Sequence, residues 1–134
     1  MLETKYDHLS VEVNKYDFWK DNGYFKAGKN KGANPYCIVI PPPNVTGKLH
    51  IGHAYNVAIQ DAIIRYKRMQ GFDTLWLPGM DHAAIATEAK VVKKLKENGI
   101  DKNEYGREKF LDSCWEWTRE YGDNIRKQWA AMGV

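Results

Sequence analysis

Cysteine is rare in this sequence, and long apolar runs are absent from it. The two cysteines, Cys37 and Cys114, lie far apart and match neither a disulfide framework nor a zinc-binding pattern. We therefore expect two buried, reduced thiols in a cytoplasmic protein. No run approaches the roughly 18 apolar residues of a membrane-spanning helix, and the first residues contain no apolar signal core. These absences argue against secretion and against a membrane partner.

A large excess of charge of one sign is also lacking. The 20 Lys and Arg residues outnumber the 17 Asp and Glu residues only slightly, which gives a net charge of +3. Without a long basic block, this balance does not identify a nucleic-acid-binding protein. The cluster Lys93-Lys94-Lys96 is typical of the solvated face of a helix. Hydrophobic residues make up 43% of the 134 residues, enough for one domain or part of one.

The first 35 residues are predicted to form an N-terminal helix and a loop. Ser10 is a plausible helix N-cap, and Val13, Tyr16 and Trp19 follow at three-residue steps on one face. Asp21-Asn22-Gly23 would end this helix. Residues 26–35 are rich in Lys, Gly and Asn and are predicted to be a loop.

A strand–helix–strand unit is predicted next. Tyr36–Ile40 is a short apolar run that is typical of a strand buried on both faces, and three prolines end it. A turn over Asn44–Gly47 leads to a long helix from about His50 to Gln70. Thr74–Leu77 is the second strand. Such a unit predicts an α/β fold with parallel strands.

More helices are predicted beyond this unit. One covers Ala83 to Asn98, with Gly99 as its stop, and the apolar spacing after Gly106 predicts a third helix and then a further helical stretch around Ile125. We assign three tryptophans to core packing rather than to base stacking: Trp76, Trp115 and Trp117. The apolar stripe of the long helix is predicted to comprise Ala54, Val57, Ala58, Ile59, Ile63 and Tyr66, and Gly71 is its expected C-terminal cap.

Two segments follow the predicted strands, at the sheet edge where parallel α/β folds bind ligands. In the first, His50 and His53 lie three residues apart in the first helical turn and share a face. The helix N-terminus offers free N–H groups and partial positive charge, which suits a polyphosphate. Gly47 and Gly52 would let a ligand approach the backbone closely. In the second segment, Asp81 suits a cationic ligand group.

These residues also allow other interpretations. Gly47 and Gly52 have the spacing of a Walker A loop, but His53-Ala54 follows in place of Lys-Ser/Thr, so that loop is rejected. His50 and His53 could bind a metal, yet no Cys or carboxylate cluster completes a site. Both histidines could simply cap or pack the helix. Asp81 could equally be the N-cap of the next helix.

Several segments in matching order resemble one enzyme family. His50–His53 is similar to the HIGH signature of class I aminoacyl-tRNA synthetases, and the longer string Pro41–Ala54 resembles the valyl branch of that family. So do Leu75–Thr87 and the segment Gly106–Phe110 followed by Trp115–Trp117. The first string is specific for the class, and the strings together indicate valine. The resemblance spans almost the whole chain.

The resemblance implies a Rossmann-like catalytic domain whose N-terminal half would occupy residues 36–134. It implies that His50 and His53 are catalytic and bind ATP phosphates, with Gly47 and Gly52 in the ATP site. Pro41, Pro42 and Asn44 would border the valine pocket, and Asp81 would pair with the valine ammonium group. The implied substrates are ATP with its Mg²⁺, valine and tRNA(Val), with no metal bound by the protein itself.

The sequence also departs from the family pattern. The family commonly has Thr, Gly and Gln at the positions of Met80, Ala84 and Glu88. The second class I signature, KMSKS, is absent, as are the editing insertion and the anticodon-binding region. We therefore expect an N-terminal portion of a longer enzyme, weakly active or inactive alone and prone to self-association. A stand-alone ATP-binding remnant and a non-enzymatic interaction module are the alternatives.

Overall fold

The computed structural model describes residues 4–134 as a mixed α/β structure. Six helices and two strands follow one another in the described residues, in the order α1, α2, β1, α3, β2, α4, α5 and α6. Their bounds are His8–Glu12 for α1, Lys15–Asp21 for α2, Pro35–Val39 for β1, Ile51–Met69 for α3, Asp73–Leu77 for β2, Ala84–Glu97 for α4, Lys102–Tyr105 for α5 and Arg107–Ala131 for α6.

The predicted single N-terminal helix is wrong, because two short helices stand in its place. The carboxylate of Asp7, not Ser10, caps α1 by accepting a hydrogen bond from the Leu9 N–H at 3.1 Å. Val13 is extended at the end of α1, and Asn14 has a left-handed φ of 60°, so the helix cannot continue. The predicted stop is confirmed, since α2 ends at Asp21.

The two strands pair in parallel, as the strand–helix–strand pattern predicted. The register runs from Pro35 opposite Asp73 to Val39 opposite Leu77. Burial on both faces is wrong, however, because α3 packs against only one face of this two-stranded sheet. The opposite face leaves apolar side chains in solvent, and the residues exposed there are Cys37, Val39, Leu75 and Leu77. The prediction of two buried thiols therefore fails at Cys37, while Cys114 is half-buried.

Helix α3 matches its predicted bounds, and Gly71 follows it with the left-handed φ of 87° that a C-terminal cap requires. The predicted apolar stripe is only partly right. Val57 and Ile64 are the buried residues of α3, whereas Ile59, Ile63 and Tyr66 are exposed. The two-stranded sheet is narrow, so it covers a narrower stripe of α3 than the apolar residues of this helix predict.

The C-terminal helices differ from prediction in two ways. Helix α5 was not foreseen, and its N-cap Asp101 accepts a hydrogen bond from Asn103 N–H at 2.7 Å. The predicted third helix and further stretch form a single helix, α6, of 25 residues. Gly106 separates α5 from α6 with φ 86° and ψ 150°, a conformation that is accessible mainly to glycine. Gly99 ends α4 as predicted, with φ 73°.

Two apolar clusters hold the elements together. The larger one joins the sheet, α3 and α6, and its buried members are Ile40, Val45, Val57, Ile125 and Trp129. The smaller one joins α4 and α6 through Val91, Leu95 and Phe110. Trp76 and Trp117 pack against these clusters as predicted, but Trp115 is 53% exposed and its assignment to the core is wrong.

The segment that precedes β1 packs beside the C-terminal end of α3 and the start of β2. The Asp73 carboxylate accepts a hydrogen bond from Gly28 N–H at 2.9 Å, and Asn30 Nδ2 donates to the Gly71 carbonyl. The Arg65 guanidinium lies 4.9 Å from the Trp19 ring centroid.

The predicted solvated face of α4 is confirmed, because Lys93, Lys94 and Lys96 are exposed. No helix within residues 4–134 has the length and apolar character needed to cross a membrane.

Candidate functional site

The segments that follow β1 and β2 remain paired beyond the ends of the strands. Ile40 N–H donates to the Leu77 carbonyl at 3.0 Å, and Asp81 N–H donates to the Pro43 carbonyl at 2.9 Å. Val45 N–H then donates to the Asp81 carbonyl at 2.9 Å, so Asn44 and Asp81 form a parallel bridge. This extended ladder brings the two predicted ligand segments together at the carboxyl edge of the sheet.

The side chains of His50 and His53 both accept backbone hydrogen bonds at the start of α3. His50 is the N-cap, and its Nδ1 accepts a hydrogen bond from Gly52 N–H at 3.1 Å. His53 occupies the third helical position, and its Nδ1 accepts from His50 N–H at 3.2 Å. The two ring centroids are 4.0 Å apart. The arrangement is a capping box in which imidazoles do the work usually done by Ser and Glu.

This exchange of hydrogen bonds determines the chemistry of both rings. An Nδ1 that accepts a hydrogen bond carries no proton, so the proton of each neutral ring is on Nε2. Burial, and then the nearby charge of His50, lowers the pKa of His53 below its ordinary value of 6.5. Each ring thus has its Nε2–H left as a hydrogen-bond donor for a ligand.

The capping box changes one sequence expectation. The first turn of α3 was expected to offer free backbone N–H groups, but Gly52 N–H is bound to His50 Nδ1 and His53 N–H donates to the His50 carbonyl at 2.9 Å. The donors left at this helix end among residues 4–134 are therefore the Ile51 N–H and the imidazole Nε2–H groups. The favourable field of the helix N-terminus remains beneath them.

Gly52 has a steric role that its sequence position did not reveal. A Cβ atom on Gly52 would lie 3.0 Å from Cε1 and 3.1 Å from Nδ1 of His50. The glycine therefore makes room for the His50 ring in its capping position. A Cβ on Gly47, in contrast, would meet no atom of the described residues within 4 Å.

Two adjoining clefts contain most of the predicted site residues. One has a volume of about 330 Å³ and includes Pro41, Pro42, His50, Gly52 and His53 in its lining. The other, of about 420 Å³, is lined in part by Pro42, Asn44, Gly47, His50 and His53. The two histidines and Pro42 are shared, so these predicted residues surround one continuous region at the start of α3.

Asp81 lies beside this region but lines neither cleft. Its Oδ1 accepts a hydrogen bond from Ala83 N–H at 2.9 Å, and the residue is exposed. The alternative that Asp81 is the N-cap of α4 is wrong, because the N-cap is Ala83 in a left-handed conformation with φ 45°. Met80 points elsewhere, lining a separate cavity of about 460 Å³ and packing near Gly122 of α6.

Helix α6 contributes to the site in ways that local sequence patterns did not predict. Trp117 Nε1 donates to the Val45 carbonyl at 2.9 Å, and Gln128 Oε1 accepts from Leu49 N–H at 2.9 Å. Sequence reasoning also missed Lys48, an exposed cation in the lining of the cleft that contains Asn44. Its position beside the histidines was readable from the sequence.

The part of the chain that the structure describes contains no cluster of side chains that could bind a metal ion. No group of three or more His, Cys, Asp or Glu side chains converges there in a geometry that could hold an ion. His50 and His53 also use their Nδ1 atoms for capping. The chemistry of this edge is that of neutral and cationic hydrogen-bond donors beside one carboxylate.

Comparison with known proteins identifies the family of this chain. The chain is 60% identical to the valine–tRNA ligase of Enterococcus faecalis, 58% identical to that of Mycoplasma mycoides and 56% identical to that of Bacillus subtilis. Each match covers 99% of this chain but only 15% of the relative, so the chain spans about a seventh of the length of these curated relatives. The family model for tRNA synthetases class I (I, L, M and V) matches residues 14–134. This chain belongs to the class I tRNA synthetase family of the isoleucine, leucine, methionine and valine type.

Proposed function

We propose that this chain provides the ATP-binding and valine-binding part of an enzyme that activates valine and transfers it to tRNA(Val). In the first step an oxygen of the valine carboxylate bonds to the α-phosphorus of ATP, and the bond to the β-phosphate breaks. The products are valyl-adenylate and pyrophosphate. In the second step a ribose hydroxyl of the tRNA attacks the acyl carbon, AMP leaves and the hydroxyl proton is lost.

The observation that carries this proposal is the paired imidazoles at the start of α3. Their Nε2–H groups are oriented donors, because both Nδ1 atoms are held by the backbone. Donors fixed before the reaction stabilise the charge that develops on phosphate oxygens without reorganising in the transition state. We assign His50 and His53 to the ATP phosphates, with Gly47 and Gly52 beside the nucleotide. Lys48 adds positive charge to the same cleft.

The amino acid is assigned to the paired segments beside the histidines. Asp81 has a second carboxylate oxygen, Oδ2, that has no hydrogen-bond partner among residues 4–134, which suits an incoming ammonium group. The Asn44–Asp81 bridge places the side chains of these two residues at adjacent positions. Pro41 and Pro42 border the pocket. This arrangement would hold the valine carboxylate near the α-phosphate, as an in-line attack needs.

The wider context of the site is also part of the proposal. We infer that residues 36–134 belong to a Rossmann-like catalytic domain, with residues 1–35 as a preceding helical segment. Mg²⁺ enters with ATP as part of the substrate complex and neutralises phosphate charge. The tRNA is bound in the context of a longer enzyme in the cytoplasm, where tRNA is charged.

A chimeric enzyme tests this function. The chain replaces the matching 133 residues of the Enterococcus faecalis valine–tRNA ligase, and valine-dependent exchange of pyrophosphate into ATP is measured. We expect exchange with valine, much weaker exchange with threonine, and almost none with isoleucine. Val and Thr differ little in shape, so one pocket separates them by only about a hundredfold. A folded chimera without valine-dependent exchange would contradict the proposal.

The 134-residue chain alone provides the second arm of the test. We expect ATP to shift the imidazole nitrogen signals of His50 and His53, with weak affinity and no sustained formation of valyl-tRNA. His53→Ala should weaken ATP binding while the far-ultraviolet circular dichroism stays that of a folded chain. ATP binding without exchange in the chimera would favour a stand-alone ATP-binding module. Loss of the folded signal in His53→Ala would favour a purely structural histidine.

A further inference from the structure

The backbone of Leu49, the residue directly before the capping histidine, is held by one side chain from α6. Gln128 Oε1 accepts a hydrogen bond from Leu49 N–H at 2.9 Å, and Gln128 Nε2 donates to the Leu49 carbonyl at 3.4 Å. The amide thus pairs with both backbone groups of one residue, as a neighbouring strand would. We call this pair of hydrogen bonds the Gln128 clamp.

The clamp acts on a segment that has no regular secondary structure. Leu49 lies between the turn of residues 44–47 and α3, outside any strand or helix. The next residue, His50, must be extended, with φ −120° and ψ 175°, for its ring to reach Gly52 N–H. Because the Leu49 carbonyl belongs to the same peptide plane as His50 N–H, fixing that carbonyl fixes the N–H which His53 Nδ1 accepts.

We propose that Gln128 is a positioning residue for the phosphate-binding histidines. It orients the peptide between Leu49 and His50, and through it the capping box and the outward Nε2–H groups of both rings. The assignment of those rings to phosphate rests on the function proposed above, but the orienting role of Gln128 does not. Trp117 holds the other end of the same turn, at the Val45 carbonyl, and makes the turn rigid from both sides.

The clamp requires one donor and one acceptor at the tip of the side chain, which makes it testable by isosteric variants. Gln128→Met keeps the length and removes both polar groups. Gln128→Glu keeps the acceptor for Leu49 N–H, but a carboxylate repels the Leu49 carbonyl. When protonated, the same carboxyl donates a hydrogen bond to that carbonyl and restores the clamp. Gln70→Met is the matched control, since among residues 4–134 the side chain of Gln70 hydrogen bonds only to Lys67 and Tyr66 at the far end of α3.

The first experiment uses the 134-residue chain without ligand. Nitrogen NMR reports the Leu49 amide and the Nδ1 and Nε2 signals of His50 and His53. We expect Gln128→Met to move the Leu49 amide and to average the two nitrogen signals of each ring, while Gln70→Met changes neither. In Gln128→Glu the Leu49 amide signal should approach that of the unsubstituted chain at the same pH as the pH falls and depart from it as the pH rises, while the ring signals of the two chains are compared above pH 6.5, where the imidazoles are neutral. Ring signals that stay fixed in Gln128→Met would overturn the proposal.

The second experiment measures ATP binding by the same variants and pyrophosphate exchange in the chimera. We expect Gln128→Met to lower kcat for exchange about tenfold with little change in the KM for valine, since Gln128 touches no predicted valine contact. Unchanged ring signals reject the clamp whatever the exchange rate. If Gln128→Met alters the ring signals of the 134-residue chain but the unsubstituted chimera shows no exchange, the proposed function is rejected and the clamp is retained. A Gln128→Met chain that fails to fold leaves Gln128→Glu to decide, because the Leu49 amide signal must follow the new carboxyl, and the ring signals above pH 6.5 must differ from those of the unsubstituted chain.

Discussion

Replacing Gly52 by alanine should separate the stability of the chain from its ability to bind phosphate. The added Cβ would lie 3.0 Å from His50 Cε1 and 3.1 Å from Nδ1, both in one rigid ring. The ring must therefore move by a few tenths of an ångström, and we expect this to weaken the hydrogen bond that Nδ1 accepts from Gly52 N–H at 3.1 Å. The substitution acts on the capping box through sterics alone and adds no charge or polar group.

The effect on stability is expected to be small, because two contributions oppose each other. Loss of an N-cap hydrogen bond costs about 1 kcal/mol. Replacing a glycine within a helix by alanine stabilises it by roughly 0.5–1 kcal/mol. The free energy of unfolding should change by less than about 1 kcal/mol. Thermal or urea unfolding followed by circular dichroism measures this change.

The effect on ATP is expected to be larger. A hydrogen bond to a charged group contributes about 1.5–3 kcal/mol, so losing the oriented His50 donor should weaken ATP binding about tenfold or more. NMR titration of the 134-residue chain measures both the dissociation constant and the ring orientation. His50→Asn is the matched control, since Asn keeps the cap but removes the imidazole. Unchanged ATP affinity in Gly52→Ala with a displaced ring would refute the assignment of His50 to phosphate.

Three further outcomes are expected. The pKa of His53 is lowered in the folded chain, so its capping contribution to stability is fully present above pH 6.5 and is lost as the pH falls through the lowered pKa. His53→Gln caps without titrating, and it should therefore flatten this part of a profile of melting temperature against pH. Ala83→Gly should raise the free energy of unfolding by about 0.5–1 kcal/mol, since φ 45° strains alanine, and an unchanged urea midpoint would contradict this. Because Val39 is 63% and Leu77 48% exposed on the open sheet face, the chain should self-associate in sedimentation runs, and lysine at both positions should reduce it; a monomeric unsubstituted chain at high concentration would be the contrary result.

Local signals in the sequence predicted much of the scaffold. The β-branched run before Pro41–Pro43 and the glycine after the long helix fix a strand and a helix end by backbone chemistry alone, because proline cannot donate and Gly71 can adopt a positive φ. The βαβ order then implies parallel strands. Two features of the N-terminal segment were not predicted: the break at Asn14, and the N-cap, which is Asp7 rather than Ser10.

Burial was predicted less well than secondary structure. An apolar strand sequence states what a strand can bury, while the neighbours in the structure decide what it does bury. Val39 and Leu75 are exposed because α3 covers only the other face of β1 and β2. Trp115 on α6 is also exposed, with its ring centroid 5.7 Å from that of His82.

The same difference between local sequence signals and tertiary contacts applies to the site. The sequence placed the two histidines on one face of a helix start, and their position at the clefts agrees with that prediction. The contacts of Gln128 and Trp117 join residues that are 79 and 72 positions apart in the chain, so no local pattern could reveal them. Side chains that hydrogen bond to a distant backbone leave no periodic signal.

The geometry also gives a physical reason for the spacing of His50, Gly52 and His53. The side chain of the third helical residue is the one that reaches back to the N-cap N–H in a capping box, so the bond from His50 N–H to His53 Nδ1 requires two residues that are three apart. The ring of the first must pass over the second helical residue, where any Cβ would lie within about 3 Å of it. The two requirements together account for the positions of His50, Gly52 and His53 relative to one another. The motif is therefore one structural unit, in which the backbone holds each Nδ1 and leaves each Nε2 proton for the ligand.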